Sequence, residues 1–336
     1  MRAVIIEAPG VVRVDDLPEP EPGSGEVLLQ VGACGICGTD LHMIDGEYPP
    51  ATYPIVPGHE LGGEVIAVGA DVTGVTLGDR VGVHPALYCG ACHACQSGFT
   101  NLCERITGVG VTSHQGGFAE RLAVNARALY PLPKTMSFAA AALVEPLACV
   151  VSGANRLQPQ VGNTYLIYGA GPIGLLHAQI AQFNGASLVA LIDLNEGRLE
   201  RARREFGVIV TGASLDDVIE YAPRGFDNVI EATGVAKVAE LALNAVKQRG
   251  KLLIFGVCPP GEKAGFDVYR IYSDEITIIG SMSLLNSYGS AVDILNAGAI
   301  DVDRMVTHTF PIDKFPEAIR TVRFGTGLKV QVAGIG

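Results

Sequence analysis

A glycine-rich turn set between an apolar run and a helix-forming stretch constrains this chain more than any other feature. Tyr165-Leu-Ile-Tyr168 leads straight into Gly169-Ala-Gly171-Pro172-Ile173-Gly174, and a helical pattern spans Ile173–Asn184. Asp193 follows 19 residues past Gly174, at the end of the next strand-like run, Leu188–Ile192. A lone GxGxxG is a weak signal. Strand, turn, helix, strand and acid in this order are what a dinucleotide-binding βαβ unit requires. Gly169 permits the tight turn, Gly171 lets the backbone approach a pyrophosphate, and Gly174 lets helix and strand pack closely. The helix N-terminus offers unpaired N–H groups to phosphate. Asp193 is expected to accept hydrogen bonds from the adenosine ribose and to repel a 2′-phosphate, which favours NAD over NADP. Arg198 works the other way, since a nearby arginine can receive that phosphate.

The rhythm around this turn divides the chain. Up to about residue 135 the apolar runs are short, β-branched and bounded by Gly, Pro or Asp, as in Val27–Val31, Val65–Val68 and Arg80–Val83. They predict a mainly antiparallel, loop-rich unit. From about Val161 strands alternate with helices: a charged helix over Glu196–Phe206, a strand at Asn228–Glu231, a helix over Lys237–Gln248 and a strand at Leu252–Val257. That alternation predicts an α/β unit with a parallel sheet and right-handed crossovers. Beyond Gly280 the pattern loosens until a helix at Asp313–Arg323 and a strand at Leu328–Val332. A length of 336 residues is enough for two cores.

Composition narrows the partners. Hydrophobic residues at 48% and charged ones at 18% are too apolar for disorder. The net charge of −11 argues against nucleic acid or an anionic membrane surface as partner. Mean hydropathy of +0.31 raises the question of a membrane span. The most apolar stretch, Ser137–Val151, is cut by Glu145, and Thr164–Leu194 is cut by His177, Gln179, Gln182 and Asn184, so no such span is expected. The apolar run Val4–Ile6 is too short for a secretory signal, and a cytoplasmic protein is expected.

Eight cysteines are too few for a disulfide scaffold, and four of them cluster as Cys89-x2-Cys92-x2-Cys95-x7-Cys103. Four thiolates fill a tetrahedral zinc and leave no place for substrate, so this site is expected to be structural. An iron–sulfur cluster is the sharper rival, and a nucleic-acid zinc module would need a basic stripe that is missing. A second set is open. Cys37-Gly-Thr39-Asp-Leu-His42 is followed by Gly58-His59-Glu60, and Glu145 sits inside an apolar stretch where a carboxylate needs a partner such as a cation.

These residues carry a resemblance that covers essentially the whole chain. Gly58-His-Glu-x-x-Gly63 with Gly69 and Val72, then Gly78-Asp-Arg-Val81, Gly116-Gly-Phe-Ala-Glu120 and the four-cysteine loop resemble landmarks of the zinc-containing medium-chain dehydrogenase/reductase superfamily. Glu145-Pro-Leu-Ala148, Val306-Thr-His-Thr-Phe-Pro311 and Gly325-Thr-Gly-Leu-Lys329 look most like its sorbitol (polyol) dehydrogenases, with threonine dehydrogenases close by.

The resemblance implies a mainly-β GroES-like zinc-binding catalytic domain of residues 1–150 and 283–336, and a doubly wound Rossmann NAD-binding domain of residues 151–282. It places the active site in the cleft between the lobes. Cys37 and His59 would be the constant ligands of a catalytic zinc, with Glu60 or Glu145 third, in possible exchange. Cys149 is not to be taken for the cysteine that other alcohol dehydrogenases place where Glu145 falls. Thr39 would hydrogen-bond the alcohol, and His42 would pass its proton onward through the nicotinamide ribose. Cys89, Cys92, Cys95 and Cys103 would hold the second of two zinc ions per chain. The cofactor set would be Gly169, Gly171, Pro172, Ile173, Gly174, Asp193, Arg198 and Val257. The implied reaction is NAD-dependent oxidation of a secondary alcohol, a polyol or sugar-like compound, to its ketone. Rival expectations are a threonine-type amino-alcohol dehydrogenase and a non-catalytic NAD/zinc redox sensor, the latter opposed by the intact open ligand set. By resemblance Ser283 stands where polyol members carry an arginine that binds substrate hydroxyls; either Leu284 and Leu285 beside it suit a smaller or partly deoxygenated alcohol, or another polar side chain does the arginine's work. The family habit is a homodimer or homotetramer.

Overall fold

Tyr165, Leu166, Ile167 and Tyr168 are all buried, which only a strand covered on both faces tolerates. In the computed structural model, which describes residues 1–334, that strand, Thr164–Tyr168, is interior to a six-stranded sheet. The order runs Val210–Gly212, Leu188–Ile192, Thr164–Tyr168, Phe226–Glu231, Val246–Ile254, Thr277–Gly280, and every pair is parallel. Succession reverses beside Thr164–Tyr168, the doubly wound arrangement, so the crevice outside its carboxyl end is where a nucleotide belongs. Helix Glu196–Phe206 starts where Asn195 Oδ1 accepts from Arg198 N–H (3.1 Å) and stops at Gly207, buried through Leu199, Ala202 and Phe206.

One expected helix is too long. It ends at Asn244, and Val246–Gln248 belong to the strand Val246–Ile254. Val246 pairs with Phe226, Arg249 takes a left-handed conformation (φ 59°), and pairing resumes with Lys251 opposite Asn228. The apolar positions at this irregular edge mimic helical spacing. The strand also stops at Ile254, leaving Val257 beyond it.

The other sheet has seven strands. Its order is Val306–Pro311, Lys329–Ala333, Glu26–Gly35, Glu60–Val68, Arg80–Val83, Leu129–Pro131, with Arg121–Asn125 also on Glu26–Gly35. All pairs are antiparallel except Val306–Pro311 with Lys329–Ala333. Val27, Leu29, Val31, Leu61, Val65 and Phe118 fill its core, Phe118 packing on Phe315 with ring centroids 5.0 Å apart. The last helix is Phe315–Arg323, since Ile312–Lys314 forms a separate 3-10 turn.

Packing divides the chain into Met1–Ala148 with the segment from Leu285 onward, and Cys149–Leu284. Cys149 and Val150, and likewise Ser283 and Leu284, therefore fall in the second unit, outside the limits expected for it. The sequence gives no loop at the first boundary because helix Phe138–Leu157 runs through it. By length and apolarity alone that helix is long enough to cross a membrane, a test that a buried core helix also passes. It contains Glu145 and Pro146, and 78% of its apolar window is buried inside the protein, so its apolar surface is already covered.

Candidate active site and metal centres

Strand pairing builds the open site. Glu26–Gly35 and Glu60–Val68 are antiparallel with Gly35 opposite Glu60. Cys37 lies two residues past the first strand and His59 one before the second, so segments distant in sequence deliver side chains to one spot. Gly58 (φ 102°) aims His59, and a Cβ there would lie 2.8 Å from Phe118 N. On the other side of Glu26–Gly35, Gln331 pairs with Gly35, which brings Lys329 in. Lys329 Nζ donates to Ile36 O (3.1 Å) and ion-pairs with Glu60.

One donor atom from each of Cys37, His59 and Glu60 lies within 4.8 Å of the other two. Cys37 caps helix Gly38–Asp45, its N–H donating to Asp40 Oδ2 (2.8 Å). Asp40 is fully buried, and its Oδ1 stands 3.7 Å from His59 Nδ1, too far for a hydrogen bond, with neither atom otherwise partnered. Burial pushes the Asp40 carboxyl up to about 6, although His59 beside it pulls the other way. Burial also opposes charge on His59, yet the Cys37 and Asp40 charges hold its pKa well above the ordinary histidine value. Lys329 is raised likewise, with Glu60 and Cys37 outweighing its burial. Glu145 is buried in helix Phe138–Leu157, and its charge also acts on His59 and Lys329.

Asp40, Glu60 and Glu145 thus share this space with Lys329 and His59, and a further cation would offset the carboxylates gathered there. Thiolate, imidazole and carboxylate suit zinc, and three protein donors leave a coordination position open. Asp40 faces His59 Nδ1, the side from which a carboxylate orients a ligating histidine, but at 3.7 Å it falls short of that hydrogen bond. Glu60, not Glu145, completes the three-donor group among the described residues. Thr39 Oγ1 lies 3.7 Å from Cys37 Sγ, and His42 is one turn farther along the same helix. Asp40 and Lys329 escaped the sequence-based set. An acid three residues after Cys37 is legible as a capping residue, whereas Lys329 arrives only through strand pairing.

The four-cysteine loop gathers all its sulfurs. Cys89 Sγ is 4.0 Å from Cys95 Sγ, and Cys92 Sγ is 3.9 Å from Cys103 Sγ. Ligands about 2.3 Å from a tetrahedral zinc sit about 3.8 Å apart, so the set fits the ion. Main-chain N–H groups of Ala91 and Cys92 donate to Cys89 Sγ (3.4 Å each) and bring its thiol down to about 6. Arg105 adds its guanidinium to Cys89 Sγ (3.4 Å) and its N–H to Cys103 Sγ (3.3 Å). All eight cysteines are free thiols.

At the glycine turn, a Cβ on Gly174 would lie 1.7 Å from Gly169 O, so only glycine permits this packing. Gly171 caps helix Pro172–Phe183 with open space beside it, and Pro172 and Ile173 form the first turn. Asp193 Oδ2 accepts from Ala170 N–H and Oδ1 from Asn195 N–H (2.8 Å each), which locks the carboxylate beside the turn. Arg198 Nη1 is 3.6 Å from Asp193 Oδ2. Val257 is exposed beyond its strand, and Ser283 adopts φ 52° next to the buried Leu284.

Known proteins with these features are dehydrogenases. Residues 23–134 match the alcohol dehydrogenase GroES-like domain, and residues 172–297 match the zinc-binding dehydrogenase family. D-altritol 5-dehydrogenase of Agrobacterium fabrum is 39% identical, with 93% of this chain and 90% of the relative covered. D-arabinitol dehydrogenase 1 of Uromyces fabae is 36% identical, with 99% and 97% covered. The crystal structure of a zinc-binding dehydrogenase from Sinorhizobium meliloti 1021, bound to NADP, is 35% identical and superimposes with a TM-score of 0.94, covering 99% of this chain and 98% of that one. A GroES-like sheet, a nucleotide-binding parallel sheet and a three-donor site with His59 and Glu60 buried have a single consistent reading: this protein is an enzyme of the zinc-dependent medium-chain dehydrogenase family, in its polyol/threonine branch.

Proposed function

We propose that the protein oxidises a secondary alcohol group of a polyol or sugar-like compound to the ketone, with NAD taking the hydride. The observation that carries this reading is the group of partly buried Cys37 with buried His59 and Glu60, with the Thr39 hydroxyl against Cys37. When bound, zinc supplies the Lewis acidity that makes a hydroxyl acidic near neutral pH, and the nicotinamide is the hydride acceptor. Cys37, His59 and Glu60 hold the ion. Lys329 ion-pairs with Glu60, and Glu145, whose charge also acts on His59, would be the alternative third carboxylate. Thr39 would accept a hydrogen bond from the alcohol hydroxyl and hand its own proton on as it takes the alcohol's. His42 would pass a proton onward through the nicotinamide ribose toward water. Asp193, fixed by two main-chain N–H groups, receives the ribose and disfavours a 2′-phosphate. Cys89, Cys92, Cys95 and Cys103 hold a second zinc, making two per chain. The likeness to polyol dehydrogenases supports the substrate class, the free thiols suit a reducing, cytoplasmic compartment, and a homo-oligomer rests on the family resemblance alone.

The test is a panel of D-arabinitol, D-altritol, sorbitol, simple secondary alcohols and L-threonine, each with NAD and NADP, read by reduced-nicotinamide absorbance. Turnover of polyols with NAD supports the reading. Preference for L-threonine or for NADP overturns the corresponding part of it.

A further inference from the structure

Helix Gly38–Asp45 carries Thr39 and His42 three residues apart, hence on one face. Gly46 (φ 77°) ends it, with its N–H on Met43 O (3.2 Å), and the N–H of Glu47 then bonds His42 O (2.8 Å). That turn folds the Glu47 side chain back onto the ring, Oε2 lying 3.0 Å from His42 Nδ1. Asp45, the other acid of the turn, is held by Arg323 at 2.6 Å. Arg323 also feels the charge of Glu47, and half-buried Tyr48 follows it in sequence.

We infer that Glu47 is a positioning residue for His42, selecting the tautomer with its proton on Nδ1 and keeping Nε2 as the acceptor. An ionised carboxylate only accepts, so a neutral imidazole facing it must donate from Nδ1. A proton arriving at Nε2 can then leave from Nδ1 to the Glu47 carboxylate and on to water. Glu47 ends as it began, while the ring is left protonated on Nε2 and regains its Nδ1–H form by proton exchange with water at its exposed face. Cys37, Thr39, His42 and Glu47 thus run in sequence order from the buried donor group to an exposed acid. This exit rests on the proton path proposed for Thr39 and His42.

The test has two arms. Long-range 1H–15N spectra of the histidine side chains, with His42→Ala giving the assignment, read the tautomer in the whole protein without turnover. The expected result is Nδ1–H in the wild type and a shift toward Nε2–H in Glu47→Gln, whose amide can turn to donate. Glu47→Gln should also lower kcat about tenfold at unchanged KM, with recovery in Glu47→Asp or on adding acetate. Nε2–H in the wild type, or the same tautomer in Glu47→Gln, overturns the inference. Full turnover in His42→Ala overturns the proton path itself, a result the spectra do not depend on.

Discussion

The two sulfur-bearing sites are built in opposite ways. The four-cysteine loop draws every donor from fifteen consecutive residues, Cys89 to Cys103, and its sulfurs pair at 3.9 and 4.0 Å with main-chain N–H groups around them. The open site takes Cys37 from one strand end and His59 and Glu60 from another, and borrows Lys329 from the far end of the chain. A closed donor set can only lend binding energy to the fold, whereas an open one can act on a ligand. Contiguity also makes the first site nearly independent of the sheet, while the second exists only once two strand pairs have formed.

The sharpest way to break that contrast is to remove one sulfur from each site. Cys37→Ala should cut turnover by about a thousandfold or more while leaving melting nearly unchanged, because the hydroxyl loses its acidifying ion. Cys95→Ala should do the reverse, lowering the melting temperature by roughly 5–10 °C or breaking assembly, with turnover of the surviving enzyme largely kept. Thermal melts, size-exclusion chromatography and NADH production compare the two directly.

Smaller effects sharpen it. Glu60→Gln should weaken zinc binding at the open site by about 10- to 100-fold, and Glu145→Gln by less, measured by competition with a chelator dye. Equal losses would remove the distinction between the two carboxylates. Asp193→Ser should lower NAD affinity by roughly ten- to a hundredfold and raise relative use of NADP, since one charge-assisted hydrogen-bonding group is lost while Arg198 remains. Binding titrations with both nucleotides decide it. Smallest is Arg105→Gln, which removes the guanidinium from Cys89 Sγ. Its exposure limits the gain in zinc-release rate to about threefold, read by the same dye.

What the sequence made legible follows the same divide. The glycine turn, Asp193 and the cysteine loop are local patterns, and each keeps its residues together in the fold. The open site was legible as two fragments, Cys37–His42 and Gly58–Glu60, but not as a geometry. That Glu60 lies beside Cys37 and His59 follows from the register that sets Gly35 opposite Glu60. Lys329 was hidden because its contact with Glu60 depends on a strand about 270 residues away in sequence. The misread helix end at Val246–Gln248 has the same origin, since pairing with Phe226 overrides local helical spacing. The helix Phe138–Leu157 was legible only as an apolar stretch carrying Glu145; that it runs on as one helix through Pro146 to Leu157 is seen only in the structure.

The central claim is that two metal sites of different kind share this chain, and elemental analysis tests it most directly. Zinc and iron should be counted per chain by inductively coupled plasma mass spectrometry in the purified wild type, Cys37→Ala and Cys95→Ala. The account predicts two zinc ions in the wild type, and one in each variant that remains folded. Iron in place of zinc, a single zinc in a fully active wild type, or two zinc ions retained by Cys37→Ala would contradict it.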